Sequence, residues 1–327
     1  MIDKFINKIF NTNESNFDEI ALEIFYYQAK NNPVYKSFID ASGINCLNID
    51  SIEKIPFLPI SFFKTHQVLV GNLEYQTVFI SSGTSSDQSA RHYVYSTELY
   101  KESFLRTFKR FFGEPEDYCI LALLPSYLER GNSSLVYMVN ELIQQSEHNG
   151  SGFYLYDFAS LNTKIEIVKK TKAKIIFLGV AFALIDFCSD YQPDLSGHIT
   201  IETGGMKGRK REMMREELHE ILCKSFNQEN IYSEYGMTEL LSQAYSLNDG
   251  VFNSANWMRV MSRDRYDPYN ILDDCETGLL NIIDLSNVAS CSFIATDDVG
   301  FSMNTTQFKV TGRADFSPLR GCNLMYE

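Results

Sequence analysis

Short apolar and β-branched runs, separated by amphipathic stretches, fill the middle of the chain. Residues 77–80, 118–124, 174–178, 198–202 and 230–233 read as buried strands, and 97–112, 133–146, 161–170, 181–189 and 208–224 as helices. Regular alternation of this kind predicts an α/β fold: a largely parallel sheet with helices on its faces. Past about residue 240 the rhythm changes. Residues 257–261, 278–285, 292–296 and 307–311 read as strands joined by turns, which predicts a second, more antiparallel sheet packed against the first. The first 70 residues read as helical. Ser15 with Asp18 makes a capping signal, and Phe17, Ile20, Ala21, Ile24 and Phe25 follow at helical spacing. Pro33 opens a second short helix, and Pro56 and Pro59 interrupt periodicity in an ordered apolar loop. No flexible linker separates the halves, so one composite unit is expected.

Composition narrows the partners. The chain has 327 residues, 44% hydrophobic and 22% charged, with a net charge of -13 from 29 basic and 42 acidic residues. That balance excludes the concentrated basic surface a nucleic-acid partner requires. It leaves nucleotides open, since backbone N–H groups and a few local cations suffice for a phosphate. The seven cysteines are scattered, with no metal-ligand spacing, so reduced thiols and a cytoplasmic location are expected. No signal-peptide core is read at the start, where Asp3 and Lys8 intervene, and no apolar run reaches the roughly 20 residues of a membrane span.

Two segments carry candidate chemistry. The first follows the strand at 77–80: Ser81-Ser82-Gly83-Thr84-Ser85-Ser86, with Ser89 beyond it. Its hydroxyl and amide donors can wrap phosphate oxygens, and the Thr84 hydroxyl can reach a magnesium ion. It lacks the spacing and the lysine of a Walker loop. Alone, it reads equally well as a solvated Ser/Gly connection. The second is Tyr232-Ser233-Glu234-Tyr235-Gly236-Met237-Thr238-Glu239. Here an aromatic ring able to stack on a purine, a turn glycine and a carboxylate able to hold Mg²⁺ stand at a strand end. Alone, it reads as a strand, a turn and a capped helix.

Taken together, these segments resemble the acyl-adenylate-forming superfamily of acyl-CoA synthetases, luciferases and peptide-synthetase adenylation domains. Three further segments match in order. Glu202-Thr203-Gly204-Gly205 resembles the glycine-rich segment bordering adenine. Thr296-Asp297-Asp298-Val299-Gly300 resembles the segment whose aspartate holds the ribose hydroxyls, with Asp298 in that place. Gly312-Arg313-Ala314-Asp315 resembles the hinge, whose arginine approaches the nucleotide. The resemblance implies ATP and Mg²⁺ as cofactors, with Ser81, Ser82, Gly83, Thr84, Ser85, Ser86, Gly204, Gly205, Tyr235, Gly236, Thr238, Asp298 and Arg313 around the nucleotide. Thr84 and Glu239 would hold the metal.

Within the superfamily, three details resemble the acyl-protein synthetases of the bacterial-luminescence fatty acid reductase complex. They are the Pro-Phe-Leu-Pro-Ile-x-Phe-Phe-Lys run at 56–64, Thr203-Gly204-Gly205-Met206-Lys207-Gly208-Arg209, and the ending Arg320-Gly321-Cys322-Asn323-Leu324. That branch adenylates a fatty acid and passes the acyl group to a cysteine near its own C-terminus, here Cys322. The resemblance implies an adenylate-forming large domain over 1–311, with a hinge remnant and tail over 312–327. It also implies a partner: an acyl carrier, an acyl reductase or an acyltransferase.

Two departures stand out. The hydroxyl-rich loop lacks the usual second glycine and Pro-Lys, and the sequence given ends 14 residues after Arg313. The lid domain of the superfamily, with its catalytic lysine, is therefore expected to be absent. Lys207 or Arg209 is the candidate replacement cation, although this basic run also suits the exposed edge of a helix. His92, close behind the hydroxyl-rich loop, can orient the carboxylate or a phosphate, or be an ordinary strand histidine. The acyl pocket is expected near 125–127 and 179–183. An external thiol acceptor such as CoA, an ATP-independent acyltransferase and a non-catalytic binding subunit stay open as alternatives.

Overall fold

The computed structural model describes residues 2–81, 89–124, 132–204 and 213–314. Its centre is a mixed sheet. The parallel half comprises β4 (Tyr118–Leu123), β5 (Gly152–Phe153), β6 (Lys174–Gly179), β7 (Ile199–Glu202) and β8 (Tyr232–Tyr235), in the spatial order β5-β4-β6-β7-β8. Every residue of β4 is buried, as is all of β6 beyond Lys174. Strands covered on both faces select continuous apolar runs, which is why these two are so legible. Helices connect them: α6 (Ser134–Ser146) and α7 (Phe158–Val168) between β4 and β6, α8 (Ala181–Asp190) before β7, and α9 (Arg215–Phe226) before β8.

The antiparallel half comprises β9 (Ala244–Ser246), β10 (Val251–Ser254), β11 (Met258–Arg263), β12 (Gly278–Asp284), β13 (Phe293–Ser302) and β14 (Gln307–Arg313). Both halves expected from the sequence are present, and they are joined edge to edge. β9 pairs antiparallel with β8 through Ser233↔Ser246 and Tyr235↔Ala244, and the ladder continues through β10, β14, β13 and β12 to β11. β8 is the strand at which direction reverses.

Other differences are local. The strand β2 (Thr77–Ile80) does not join the large sheet; it pairs antiparallel with β3 (Arg91–Val94), from Thr77↔Val94 to Ile80↔Arg91. The apolar loop contains a two-residue strand, β1 (Leu58–Pro59), beside Ile294 and Ala295 of β13. Helix α2 (Phe17–Asn31) is capped at Asn16 with no side-chain cap bond, so the Ser15 signal does not operate; Ser15 instead donates its hydroxyl to Asn13 at 2.6 Å. Pro33 does open α3 (Pro33–Ala41), with Asn32 accepting from the backbone of Val34 and Tyr35. Helix α1 (Ile2–Phe10) lies within the first 70 residues, which were expected to be helical, although no bounds were read for it. Helix α9 begins at Arg215, seven residues later than expected from 208.

The N-terminal helices are tied to the antiparallel half by buried polar contacts. Gln28 donates to the carbonyls of Asn287 and Val288 at 2.9 and 3.0 Å and accepts from Ser292 N. Arg259 pairs with Asp18 at 2.6 Å over the ring of Phe17. No helix among the described residues is long and apolar enough to cross a membrane.

Candidate active site

Loops at the carboxyl ends of parallel strands gather where strand direction changes, and ligands bind there in open α/β sheets. β7 ends in Glu202-Thr203-Gly204 and β8 in Tyr235-Gly236, so two of the sequence motifs meet at neighbouring strand ends. Gly204 has φ +68°, a left-handed conformation suited to glycine. Its N–H donates to Glu202 Oε2 at 2.6 Å and its carbonyl accepts from Ala181 N. Burial works to raise the Glu202 carboxyl, but hydrogen bonds from His219, Ser233 and Gly204 and the charge of Arg215 hold it below its ordinary value. This closed network fixes the end of β7.

Tyr235 projects to the side where β14 and β13 lie. Its ring packs on Phe252 and Phe308, and its hydroxyl donates to Asp298 Oδ2 at 2.8 Å. Asp298 lies opposite Arg313 in the β13–β14 ladder, and the Arg313 Nε is 3.9 Å from Asp298 Oδ1. Tyr235, Asp298 and Arg313 come from three separate motifs and converge on one point. Their backbone is held from behind: Arg263, buried, donates to the carbonyls of Leu280 and Thr296, and the Asp298 N–H donates to Thr296 Oγ1. The ring that the sequence offered to a purine is packed against two phenylalanines, so its hydroxyl edge is the part aimed at Asp298.

The turn after Gly236 carries Thr238 and Glu239, and three side chains from elsewhere pin it. His92 Nδ1 donates to the Thr238 carbonyl at 2.8 Å, Asn287 Nδ2 donates to the Glu239 carbonyl at 2.8 Å, and Asp284 Oδ2 accepts from the N–H groups of Leu241 and Ser242. None of these three links was read from the sequence, because the partners are 42 to 146 positions apart. His92 is fully buried, with its ring edge-on to Phe63 and no partner for Nε2 among the described residues. Burial pushes its pKa down to about 4, so the ring is neutral.

Glu239 is buried and makes no ion pair among the described residues. Burial pushes its carboxyl up to about 7; the charges of Arg313 and Lys64 pull it back, and Asp298 pushes it further. Lys64 stands on α4 (Phe62–Thr65), whose Phe63 touches His92. The charge of a lysine from the Pro-Phe-Leu-Pro-Ile-x-Phe-Phe-Lys run therefore acts on this carboxylate, a role the sequence did not suggest. Mg²⁺ needs few protein ligands when phosphate oxygens and water supply the rest, so a lone carboxylate suits it better than a carboxylate cluster. Among the described residues there is no group of three or more His, Cys, Asp or Glu side chains that could hold a metal ion.

Ser81 closes the base of the hydroxyl-rich loop: its N–H donates to the Ala90 carbonyl and its Oγ accepts from Ala90 N. Ser82, Gly83, Thr84, Ser85, Ser86, Gly205, Lys207, Arg209, Cys322 and the expected pocket segment 125–127 lie outside the described residues. Of the other six cysteines, Cys119, Cys188 and Cys291 are buried and Cys46 and Cys223 partly so; Cys275 is exposed, in a turn.

The family model for the acyl-protein synthetase LuxE matches residues 7–327. Among curated relatives, the long-chain-fatty-acid–luciferin-component ligase of Vibrio harveyi is 23% identical over 326 residues, covering 92% of this chain and 84% of that protein. The enzyme of the same name from Aliivibrio fischeri is 23% identical over 304 residues, covering 86% and 78%. Among solved structures, a 2-hydroxyisobutyryl-CoA ligase superposes with a TM-score of 0.68 at 12% identity, covering 93% of this chain and 72% of its own. ATP-bound MatB from Rhodopseudomonas palustris superposes with a TM-score of 0.53 at 14% identity, covering 74% and 49%. The structural likenesses concern the fold: the α/β architecture is that of adenylate-forming ligases.

Proposed function

The chain belongs to the LuxE family of acyl-protein synthetases, and on that premise we propose that it uses ATP to convert a carboxylic acid to an acyl adenylate and then transfers the acyl group to a thiol. The observation that carries this reading is the convergence of Tyr235, Asp298 and Arg313 beside Glu239 at the strand ends. A ribose, a phosphate chain and a carboxylate have chemically distinct needs, and this arrangement offers something for each.

In the first step a carboxylate oxygen of the acid attacks the α-phosphorus of ATP, the α–β phosphoanhydride bond breaks, and pyrophosphate leaves with the bonding electrons. Asp298 accepts from the ribose hydroxyls, Tyr235 holds Asp298 in orientation, and Arg313 brings positive charge to the nucleotide. Ser81 through Ser86, Gly204, Gly205, Gly236 and Thr238 line the nucleotide. Thr84 and Glu239 would hold Mg²⁺, which when bound neutralises charge on the phosphates. Lys64 adds positive charge that acts on Glu239, and Lys207 or Arg209, from the basic run that follows the adenine segment, replaces the lysine of the lid domain. His92 acts as a positioning residue through the Thr238 carbonyl. Positioning and preorganised charge supply most of the acceleration in such displacements. In the second step a thiolate attacks the acyl carbon, the bond from that carbon to the phosphate oxygen breaks, and AMP leaves. Cys322 is the proposed acceptor, with Arg320 favouring its thiolate.

The relatives are named for long-chain fatty acids, and we extend that class to this chain as acids with an aliphatic portion. Residues 1–311 form the adenylating unit, residues 312–327 the hinge and acceptor tail, and an acyl carrier, reductase or acyltransferase takes the acyl group onward. The reading is tested by carboxylate-dependent exchange of labelled pyrophosphate into ATP. Exchange that requires both an acid and Mg²⁺ is expected; absence of exchange with every acid would overturn it.

A further inference from the structure

The other face of the β8 end holds a cluster that the nucleotide does not use. Glu234 is half-buried, and its Oε1 lies 2.5 Å from where a Gly236 Cβ would stand; Gln243 Cγ lies 3.6 Å from the same point. Two polar side chains thus close over one glycine of the adenylating motif, and Gly236 itself is exposed. Gln243 is 3% exposed and its Oε1 has no hydrogen-bond partner. On the adjacent strand, one step past the Glu202↔Ser233 pair, Thr203 sits beside Glu234, and its buried Oγ1 has no partner either.

Among the described residues the surroundings supply no cation. Glu234 makes no hydrogen bond or ion pair among the described residues, and the nearest charge acting on it is a second carboxylate, Glu202. Its own charge is felt by the buried hydroxyls of Tyr100 and Tyr245. The Tyr100 hydroxyl donates to the Ser134 carbonyl and also meets the Gln243 amide, and its ring packs against Phe79 and Tyr137. Phe79 stands on β2, two residues before Ser81. The cluster therefore lies between the strand that opens the hydroxyl-rich loop and the turn carrying Glu239, where the acid must sit if adenylation occurs here.

Resting on the proposed adenylation, we infer that Glu234, Gln243 and Thr203 bind an amino or hydroxyl group of the acid substrate, close to its carboxyl group. Buried polar atoms in folded proteins are almost always paired, yet here the Gln243 Oε1 and Thr203 Oγ1 atoms are unpaired and the Glu234 carboxyl has no cation. An ammonium meets the need most fully: it brings three N–H donors and a positive charge to an uncompensated carboxylate. A hydroxyl meets it in part. An unsubstituted chain leaves this cluster without a substrate partner, and sites built for an O–H or N–H reject analogues lacking it by roughly 10⁴–10⁵.

The full chain is assayed by pyrophosphate exchange with matched acids at several lengths: the alkanoic acid, its 2- and 3-hydroxy forms, and its 2- and 3-amino forms. At one length or more, a substituted acid is expected to exceed its unsubstituted partner in kcat/KM by ~100-fold or more. Glu234→Gln is expected to cut the advantage of an amino acid ~10-fold while sparing a hydroxy acid, which identifies the donor. Unsubstituted acids that equal or exceed the substituted ones at every length overturn the inference, and that comparison needs no variant to fold. No exchange with any acid overturns the adenylation reading beneath it.

Discussion

Glu234 and Tyr235 are consecutive residues on β8, yet their two faces differ in how completely polar groups are met. On the Tyr235 face the phenol reaches Asp298, Arg313 stands across from Asp298, and Arg263 braces the strand behind. On the Glu234 face a carboxyl with no ion pair among the described residues stands near an unpaired amide oxygen and an unpaired hydroxyl. The first face is preorganised: its charges are held by neighbouring strands, so under the proposed function little reorganisation is left for the reaction. The second is complementary to something not supplied by the protein. One strand end can thus serve an invariant cosubstrate on one side and a variable acid on the other.

The comparison can be broken most forcefully at the shared turn. Glu239→Gln removes the proposed metal carboxylate with little change of shape, and pyrophosphate exchange is expected to fall on the order of 10²–10³-fold, the scale of losing one preorganised electrostatic group. A fall of less than about threefold would take Glu239 out of the mechanism. Asp298→Asn tests the satisfied face. The KM for ATP is expected to rise roughly tenfold or more, while the preference among acids stays unchanged, because the two faces act separately. A changed acid preference would join what the comparison separates.

The smallest expected effect is in stability. Burial, with Glu202 adding to it, raises the Glu234 carboxyl from its ordinary 4.5 to about 8. The folded state therefore binds this proton more tightly than the unfolded chain. Its stabilising effect is fully present below about pH 4.5 and is lost as pH rises through about 8. Glu234→Gln removes that dependence, so the variant is expected to gain on the native chain in Tm between pH 5 and 9, on the order of 2 °C. His92 runs the other way: its pKa is lowered from 6.5 to about 4, so its contribution is lost as pH falls from 6.5 towards 4. Melting curves measured from pH 4 to 9 separate the two flanks, and identical profiles for Glu234→Gln and the native chain would contradict the burial of this carboxylate.

Much of the frame was legible because physics wrote it locally. β4 and β6 are apolar along nearly their whole length, and α5 (Thr97–Phe112), capped by the Ser96 hydroxyl on Leu99 N, falls on the residues expected for it. The polar short strands β9 and β10 were not legible: Ala-Tyr-Ser and Val-Phe-Asn-Ser carry no period long enough to detect, and their pairing is set by neighbours. In the candidate site, Tyr235, Asp298, Arg313 and Glu239 were expected from their segments and the family resemblance, and the structure brings the first three to one point. His92 was expected near the loop, but its bond to the Thr238 carbonyl requires β3 to be folded against the turn. Asp284, Asn287 and Lys64 escaped because each acts through backbone or charge at long sequence separation. Glu234 sat inside a quoted motif and was passed over, since only alternation along the built strand shows that it faces away from Tyr235.

The account stands most directly on where the acyl group comes to rest. Intact mass is measured after incubation with ATP, Mg²⁺ and the acid most active in exchange, for the native chain, Cys322→Ser and Cys275→Ser. The exposed Cys275 serves as the control for unspecific acylation. An ATP-dependent increase of one acyl group is predicted, kept in Cys275→Ser and absent from Cys322→Ser. An adduct that persists in Cys322→Ser, or forms equally without ATP, would contradict the proposed transfer to Cys322.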